Sequence, residues 1–321
     1  MAGRESGGKP RLIVILGPTA VGKTALSIEL ARALHTEILS GDSMLVYRGM
    51  DIGTAKPTRE ERQGVPHHLV DILPPDRTFN VTDFIALARP LILRLNEQGR
   101  IPILAGGTGL YLQALLEGYR FNETEQHEMF RRRLYRLAEC RGKDFVHALL
   151  ARRDPEAAGR LHSHDVRRVI RALEVVHFGR ESISREKQMD GHAGTLCYDA
   201  LVIGLNRERQ ALYERINRRA ELMFEHGLEK EVRALLETGV PRGSQAMKGI
   251  GYKETASFLA GEISREEALL QIQKATRHFA KRQLTWYRRM KYIHWYMVDE
   301  ISEDKLLPRV LKDVEGFFSL R

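Results

Sequence analysis

The sequence predicts an α/β protein, a parallel-sheet core flanked by helices, with a mainly helical insertion. Three observations carry this. Short apolar runs at Leu12–Leu16, Glu37–Ser40 and Ile101–Leu104 reach glycines at Gly17, Gly41 and Gly106. Segments with helical spacing alternate with these runs, the pattern of parallel sheets whose ligands gather at the carboxyl ends of the strands. From 120 to 195, by contrast, strand-like runs are nearly absent and basic side chains abound.

Taken in order, Leu12–Leu16 is a β-branched run that stops at Gly17, a strand signal. From Thr24, residues Ala25, Leu26, Ile28, Leu30, Ala31 and Leu34 supply an apolar helix flank, leaving Glu29 and Arg32 for solvent. Val81–Leu95 also has helical spacing, although Pro90 is expected to break or kink it. In the insertion, Val166, Val169, Ile170, Leu173 and Val176 recur at helical spacing, with Asp165 as N-cap and Gly179 just past the end. Leu201–Leu205 returns to the sheet, followed by helices to about Met297 and a weakly patterned tail. The expected division is a core of 1–119 and 196–321 with an insertion of 120–195. A length of 321 residues suits about two domains, or one with a large insertion.

Composition removes other classes. At 43% hydrophobic residues the chain is too apolar for intrinsic disorder, and no stretch approaches the roughly 20 apolar residues of a membrane span. The polar start, Met1–Arg11, lacks the apolar region of a secretion signal, so a cytoplasmic protein is expected. Cys140 and Cys197 cannot build a cysteine zinc site alone; both are expected to be reduced and buried. Lys plus Arg exceed Asp plus Glu by 51 to 42, a formal +9. That excess suits a polyanionic partner or simply a soluble basic surface.

Gly17-Pro18-Thr19-Ala20-Val21-Gly22-Lys23-Thr24 fits G-x-x-x-x-G-K-[ST] between an expected strand and an expected helix. Its glycines let backbone N–H groups turn onto phosphate oxygens, and the helix N-terminus adds its positive dipole end. Lys23 supplies a point charge, and the Thr24 hydroxyl can reach a Mg²⁺ also held by the phosphates. The motif calls for a di- or triphosphate, ATP included, without saying which. The later strand runs into Ala105-Gly106-Gly107 with no terminal aspartate, so the metal-holding acid of a nucleotide hydrolase is missing where one would stand. Asp42, Ser43 and Thr108 stand at the strand ends instead. A carboxylate beside a phosphate site suits a base for an incoming nucleophile. Asp42 could equally cap a turn, and Thr108 could be a turn residue after paired glycines.

Between Gln271 and Trp295 lie seven basic residues, Lys274, Arg277, Lys281, Arg282, Arg288, Arg289 and Lys291, and no acid. At about 100° per residue, Lys274, Arg277, Lys281 and Arg288 share an arc of about 60°. Ile272, Ala275, Phe279, Trp286, Met290 and Ile293 occupy a nearly opposite arc. The cations fit phosphate-backbone binding or a solvated face. The apolar arc suits core contact better than a membrane. Further basic clusters occur at Arg131–Arg136 and Arg167–Arg171.

These pieces together resemble a known family. GPTAVGKT (17–24), DSMLVYRGMDIGTAKPT (42–58), PHHLVDI (66–72), IPILAGGTGLYLQALLEG (101–118), RRVIRALEV (167–175), LYERINRR (212–219), GIGYKE (249–254) and AKRQLTWYR (280–288) occur in order. The chain is similar in these stretches to the bacterial tRNA dimethylallyltransferases, also called tRNA isopentenyltransferases. The resemblance implies a P-loop NTPase-like core with an insertion that contacts the tRNA anticodon stem-loop. It implies a monomeric enzyme that moves a dimethylallyl group from dimethylallyl diphosphate to the N6 amine of the adenosine 3′ of the anticodon, in tRNAs reading codons that begin with U. The adenosine would be flipped into a channel. Gly17 to Thr24 and Arg219 would hold the diphosphate with Mg²⁺, and Asp42, Thr108 and Thr19 would be catalytic, Asp42 as base. Matching tRNA-contacting stretches are Asp42, Ser43, Met44 and Leu45; Thr108; Arg131; Arg167, Arg168, Val169, Ile170 and Arg171; Lys248, Gly249, Ile250, Gly251, Tyr252 and Lys253; and Lys281, Arg282, Gln283, Leu284, Thr285, Trp286, Tyr287 and Arg288.

The chain departs from the family at Phe121-Asn122-Glu123-Thr124-Glu125, where a proline-containing stretch is usual. It also has no Cys/His zinc finger after the core, as fits a bacterial enzyme. Three other readings stay open: a small-molecule P-loop kinase, an adenylate isopentenyltransferase, and a non-catalytic tRNA-binding protein with a relic phosphate loop.

Overall fold

The computed structural model describes residues 8–119, 121, 127–179 and 196–319. The chain divides into two compact units, Met1–Leu116 with Leu196–Arg321, and Glu117–Thr195. Of the departure at 121–125, all but Phe121 lies outside the described residues.

The first unit holds one parallel six-stranded sheet in the order β3-β2-β4-β1-β5-β6. Its strands are β1 (Arg11–Leu16), β2 (Ile38–Ser40), β3 (His67–His68), β4 (Ile103–Gly106), β5 (Asp199–Asn206) and β6 (Ile293–Met297). β1 lies between β4 and β5, with Ile13 opposite both Ile103 and Leu201. Leu12 to Leu16 are therefore fully buried, and a strand covered on both faces reads as a continuous apolar run rather than an alternating one. The sheet is flanked by α1 (Lys23–Ala33), α2 (Val81–Glu97) and α3 (Gly109–Leu116).

Among the described residues the second unit holds four helices: α4 (Glu128–Arg141), α5 (Lys143–Arg153), α6 (Pro155–Arg160) and α7 (Val166–Phe178). Leu134, Val146, Leu150, Val169, Ile170 and Leu173 are at its core. The Glu174 carboxylate is buried there and takes hydrogen bonds from Arg131, Arg171 and the His127 amide. Burial alone would raise its pKa, but these donors hold it below the usual carboxylate value.

The first unit continues with α8 (Arg209–Glu225), α9 (Leu228–Glu237), α10 (Tyr252–Leu259), α11 (Arg265–Tyr287) and α12 (Glu303–Phe318). Several expectations are corrected here. Pro90 does not interrupt α2, which runs through it. The proline is on the exposed side, while Phe84, Ile85, Ala88, Ile92 and Leu95 anchor the other face and Asn80 closes a capping box at the start. The segment after the cationic helix is not helical to Met297, because α11 ends at Tyr287 and Ile293 belongs to β6. The tail is a helix, held by buried Val310, Val314 and Phe318 at four-residue intervals. Asp165 occupies the N-cap of α7 without a side-chain cap bond and instead pairs with Arg168. Cys140 and Cys197 are exposed, not buried. Among the described residues no helix is long and apolar enough to cross a membrane.

Candidate functional site

The turn from β1 into α1 carries Gly17 to Thr24. Gly17 lies so close to β5 that a Cβ would come within 2.4 Å of the Leu205 carbonyl oxygen, so a side chain there would clash with backbone. Gly22, the residue before α1, has φ 111, a left-handed geometry that L side chains avoid. Ala20 is itself left-handed at φ 65, a strain of the kind concentrated at functional sites. Arg215 Nε donates to the Ala20 carbonyl at 3.1 Å and steadies that turn. The Lys23 ammonium donates to the Gly17 and Pro18 carbonyls at 3.0 and 2.8 Å, folding back over the loop it serves.

Arg219 on α8 faces the same loop. Burial, then Arg219, pulls the Lys23 ammonium down to about 8, while Asp42 opposes the shift. Arg219 is likewise lowered, chiefly by burial. Two cations placed together and partly withdrawn from water disfavour each other, an arrangement suited to an anion.

The ends of β2 and β4 supply the rest. Asp42 Oδ1 accepts from the Met44 N–H at 2.8 Å, so the turn-cap reading of Asp42 holds. Only one carboxylate oxygen is used in that bond. Thr108 Oγ1 accepts from the Ser43 N–H at 3.0 Å and donates to the Ser43 hydroxyl at 3.3 Å, locking the two strand ends together. Gly106 makes this approach possible, since a Cβ would meet Gly41 backbone at 2.4 Å.

Two cavities meet here. One, of about 120 Å³, is lined by Lys23, Thr24, Asp42 and Arg219. The other, of about 310 Å³, shares Thr19, Asp42, Arg219 and Phe279 with it, and adds Thr108, Met223 and Arg282. A wider opening of about 580 Å³ lies outside the loop, edged by Lys23, Thr24, Arg215, Arg218 and Arg219. Among the described residues no cluster of three acid, histidine or cysteine side chains could cage a metal. The exposed Thr24 hydroxyl in the phosphate cavity suits Mg²⁺, which keeps several waters and takes its other ligands from phosphates.

The stretches matched to tRNA contacts divide by direction. Ser43, Met44, Lys248, Gly249, Ile250, Tyr252 and Arg282 line the larger cavity. Met44 sits so close to Gly249 that a Cβ there would come within 2.5 Å of its Cε. Leu45 borders the smaller cavity, and Gly251 is a buried left-handed residue leading into α10. Lys253, Lys281, Thr285 and Arg288 are exposed; Leu284 and Trp286 are half-buried. Gln283 and Tyr287 point inward, both bonding the Gly107 carbonyl. In the cationic row, Lys274 is exposed, whereas Arg277 is half-buried and bonds Asn217. In the second unit Arg167 and Arg168 are exposed, Val169 and Ile170 are core, and Arg131 and Arg171 serve Glu174.

Sequence reasoning missed Glu231 on α9. Its carboxylate accepts from the Asp51, Ile52 and Gly53 amides at 2.9, 2.8 and 3.1 Å, and from the Tyr252 hydroxyl at 2.6 Å. It fastens the loop that follows Asp42 to the cavity wall. An acid among the charges of a surface helix carries no local signal of that task.

Sheet order and glycine loop define a P-loop-like α/β protein. Comparison with known proteins narrows this. A family model described as IPP transferase matches residues 45–290, and one described as isopentenyl transferase matches 10–72. The chain is 45% identical to a tRNA dimethylallyltransferase of Bacillus cytotoxicus over 98% of this chain and 97% of that one. It resembles the crystal structure of a tRNA isopentenylpyrophosphate transferase from Bacillus halodurans with TM-score 0.73 and 41% identity, covering 97% of each chain. A eukaryotic dimethylallyltransferase acting on tRNA gives TM-score 0.82 at 27% identity, covering 97% of this chain and 80% of that one. The chain belongs to the IPP transferase family and is a transferase.

Proposed function

We propose that the protein transfers a dimethylallyl group from dimethylallyl diphosphate to the exocyclic N6 amine of the adenosine 3′ of the anticodon, in tRNAs that read codons beginning with U. The observation that carries this reading is the convergence of Lys23, Arg219 and Asp42 on one cavity. Such a site has charges for a leaving diphosphate and a carboxylate for an amine proton, but no acid aimed at a hydrolytic metal. The curated relatives named as tRNA dimethylallyltransferases supply the substrate class.

In this reading the amine nitrogen forms a bond to C1 of the dimethylallyl group as the C1–O bond to diphosphate breaks. The electron pair leaves with pyrophosphate and the amine proton passes to the free oxygen of Asp42. Lys23, Arg219 and the loop amides, from Gly17 through Pro18, Thr19, Ala20, Val21 and Gly22, stabilise the charge gathering on the leaving group, where preorganised electrostatics is worth most. Thr24 would hold Mg²⁺, which when bound adds further charge compensation on the phosphates. Thr19 and Thr108 place the donor and acceptor sides. Exposed Lys281 and Arg288, with Arg167 and Arg168, are offered to the RNA backbone. In this reading the enzyme works as a monomer in the cytoplasm.

The test is purified protein with labelled dimethylallyl diphosphate and Mg²⁺, offered unmodified tRNA, adenosine monophosphate or, with ATP, a panel of hydroxyl acceptors. Label in tRNA alone is expected. Label only in the mononucleotide, or phosphate transfer from ATP, would overturn the reading.

A further inference from the structure

Gln283 lies in the cationic stretch of α11, yet its side chain is turned inward and is 5% exposed. Both of its ends are engaged. Oε1 accepts from the Thr19 N–H at 2.9 Å, and Nε2 donates to the Gly107 carbonyl at 2.8 Å. A primary amide accepts at one end and donates at the other at any working pH. One turn along, the Tyr287 hydroxyl donates to the same Gly107 carbonyl at 2.9 Å, filling its second lone pair.

The two groups that Gln283 joins belong to opposite sides of the site. Thr19 is in the phosphate loop, and Gly107 begins the turn that carries Thr108, itself bonded to Ser43. A Cβ at Gly107 would come within 2.6 Å of Gln283 Nε2 and 3.5 Å of Asp42 Oδ2, so the amide meets the turn at the point nearest the carboxylate. We propose that Gln283 is a positioning residue, an amide strut that sets the separation between the leaving-group loop and the acceptor-side turn. This rests on the function proposed above. Displacement needs the amine nitrogen, C1 and the departing oxygen in line, with the reacting atoms about 3–3.5 Å apart, and a misplacement of about 1 Å costs about 100-fold.

Substitution by glutamate gives a test that a spacer role alone would not pass. Gln283→Glu keeps the shape and the acceptor for the Thr19 N–H. Ionised, it has no donor for Gly107 and sets an anion against that carbonyl; protonated, it regains the donor. Burial and the Asp42 charge raise a carboxyl pKa there, Lys23 and Arg219 oppose them, and the donor returns as pH falls. The groups facing it are Lys23, Asp42, His67 and Arg219 around the cavity, with Tyr287 beside it. All are shared with Gln283→Ala, so the ratio of the two variants isolates position 283.

The expected result is a kcat loss of about 100-fold for Gln283→Ala, with KM for dimethylallyl diphosphate and tRNA within about threefold of wild type. Gln283→Glu is expected to gain on Gln283→Ala as pH falls, by about tenfold or more once its carboxyl is protonated. Parallel pH profiles for the two variants across the titration of the introduced carboxyl, or a kcat near wild type for Gln283→Ala, would overturn the inference. If Gln283→Ala fails to fold, the profile of Gln283→Glu against wild type decides, rising towards acid if the inference holds and parallel if it does not. Wild type inactive on tRNA would instead count against the proposed function.

Discussion

Lys23 and Arg219 face one cavity as two cations, and burial followed by the Arg219 charge leaves the Lys23 ammonium with a pKa of about 8. A diphosphate bound between them would restore the proton. Pyrophosphate affinity should therefore fall by up to about tenfold per unit as pH rises beyond about 8, because the free lysine must first be protonated. Calorimetric titration of wild type against Lys23→Met checks this, and the difference between the two removes the titration of pyrophosphate itself. The same shift has a folding consequence: from about 8 to 10.5 the unfolded chain holds more protons, so this group's contribution to stability rises with pH there.

Gly106 and Gly41 touch backbone to backbone. Gly106→Ala places a Cβ within 2.4 Å of the Gly41 carbonyl group, and neither side has a flexible end to yield. A loss of about 1–3 kcal/mol or more is expected, read as a lower denaturant midpoint, with transfer impaired because Asp42 follows Gly41.

Glu231 satisfies three loop amides and a buried phenol. Glu231→Ala leaves those donors without a partner and is expected to cost about 1–3 kcal/mol for each one that water cannot reach. Hydrogen exchange at the Asp51, Ile52 and Gly53 amides should quicken in the variant, whereas protection in β1 should fall only with global stability.

The exposed cations on α11 and at its C-terminal cap should show in salt dependence. Lys281→Ala with Arg288→Ala is expected to lower the slope of log affinity for tRNA against log salt by about 1.5, at roughly 0.7–0.9 for each phosphate that is no longer neutralised. Pyrophosphate binding should barely change. Arg277→Ala, which removes the bond to Asn217, should act more on stability than on the slope. An unchanged slope in the double variant would mark the face as solvated surface.

What could be read from the chain was local. The phosphate loop is eight consecutive residues whose chemistry depends on their own backbone, and β1 is buried on both faces, so its composition alone reveals it. Asp42 and Thr108 were legible because glycine-ended strands place their following residues at the ligand edge. What was hidden depends on packing. Gln283 and Lys281 are two residues apart in one basic stretch, yet one is buried against Gly107 and the other exposed; only the rotation of α11 against the sheet separates them. β3 is two residues long and leaves no pattern. β6 merged with the helix before it because His294 and Trp295 break the apolar run. Pro90 was misleading since a proline on an exposed face removes one bond while the buried face keeps the helix in place.

The central claim is that Asp42 accepts the amine proton while the cations of the phosphate loop hold the leaving group. Asp42→Asn keeps an oxygen for the Met44 N–H but cannot act as a base. Single-turnover transfer to tRNA, measured beside pyrophosphate affinity, tests it most directly. The expected result is a rate lower by about 10²–10⁴-fold with pyrophosphate binding retained. Transfer by Asp42→Asn at the wild-type rate would contradict the account.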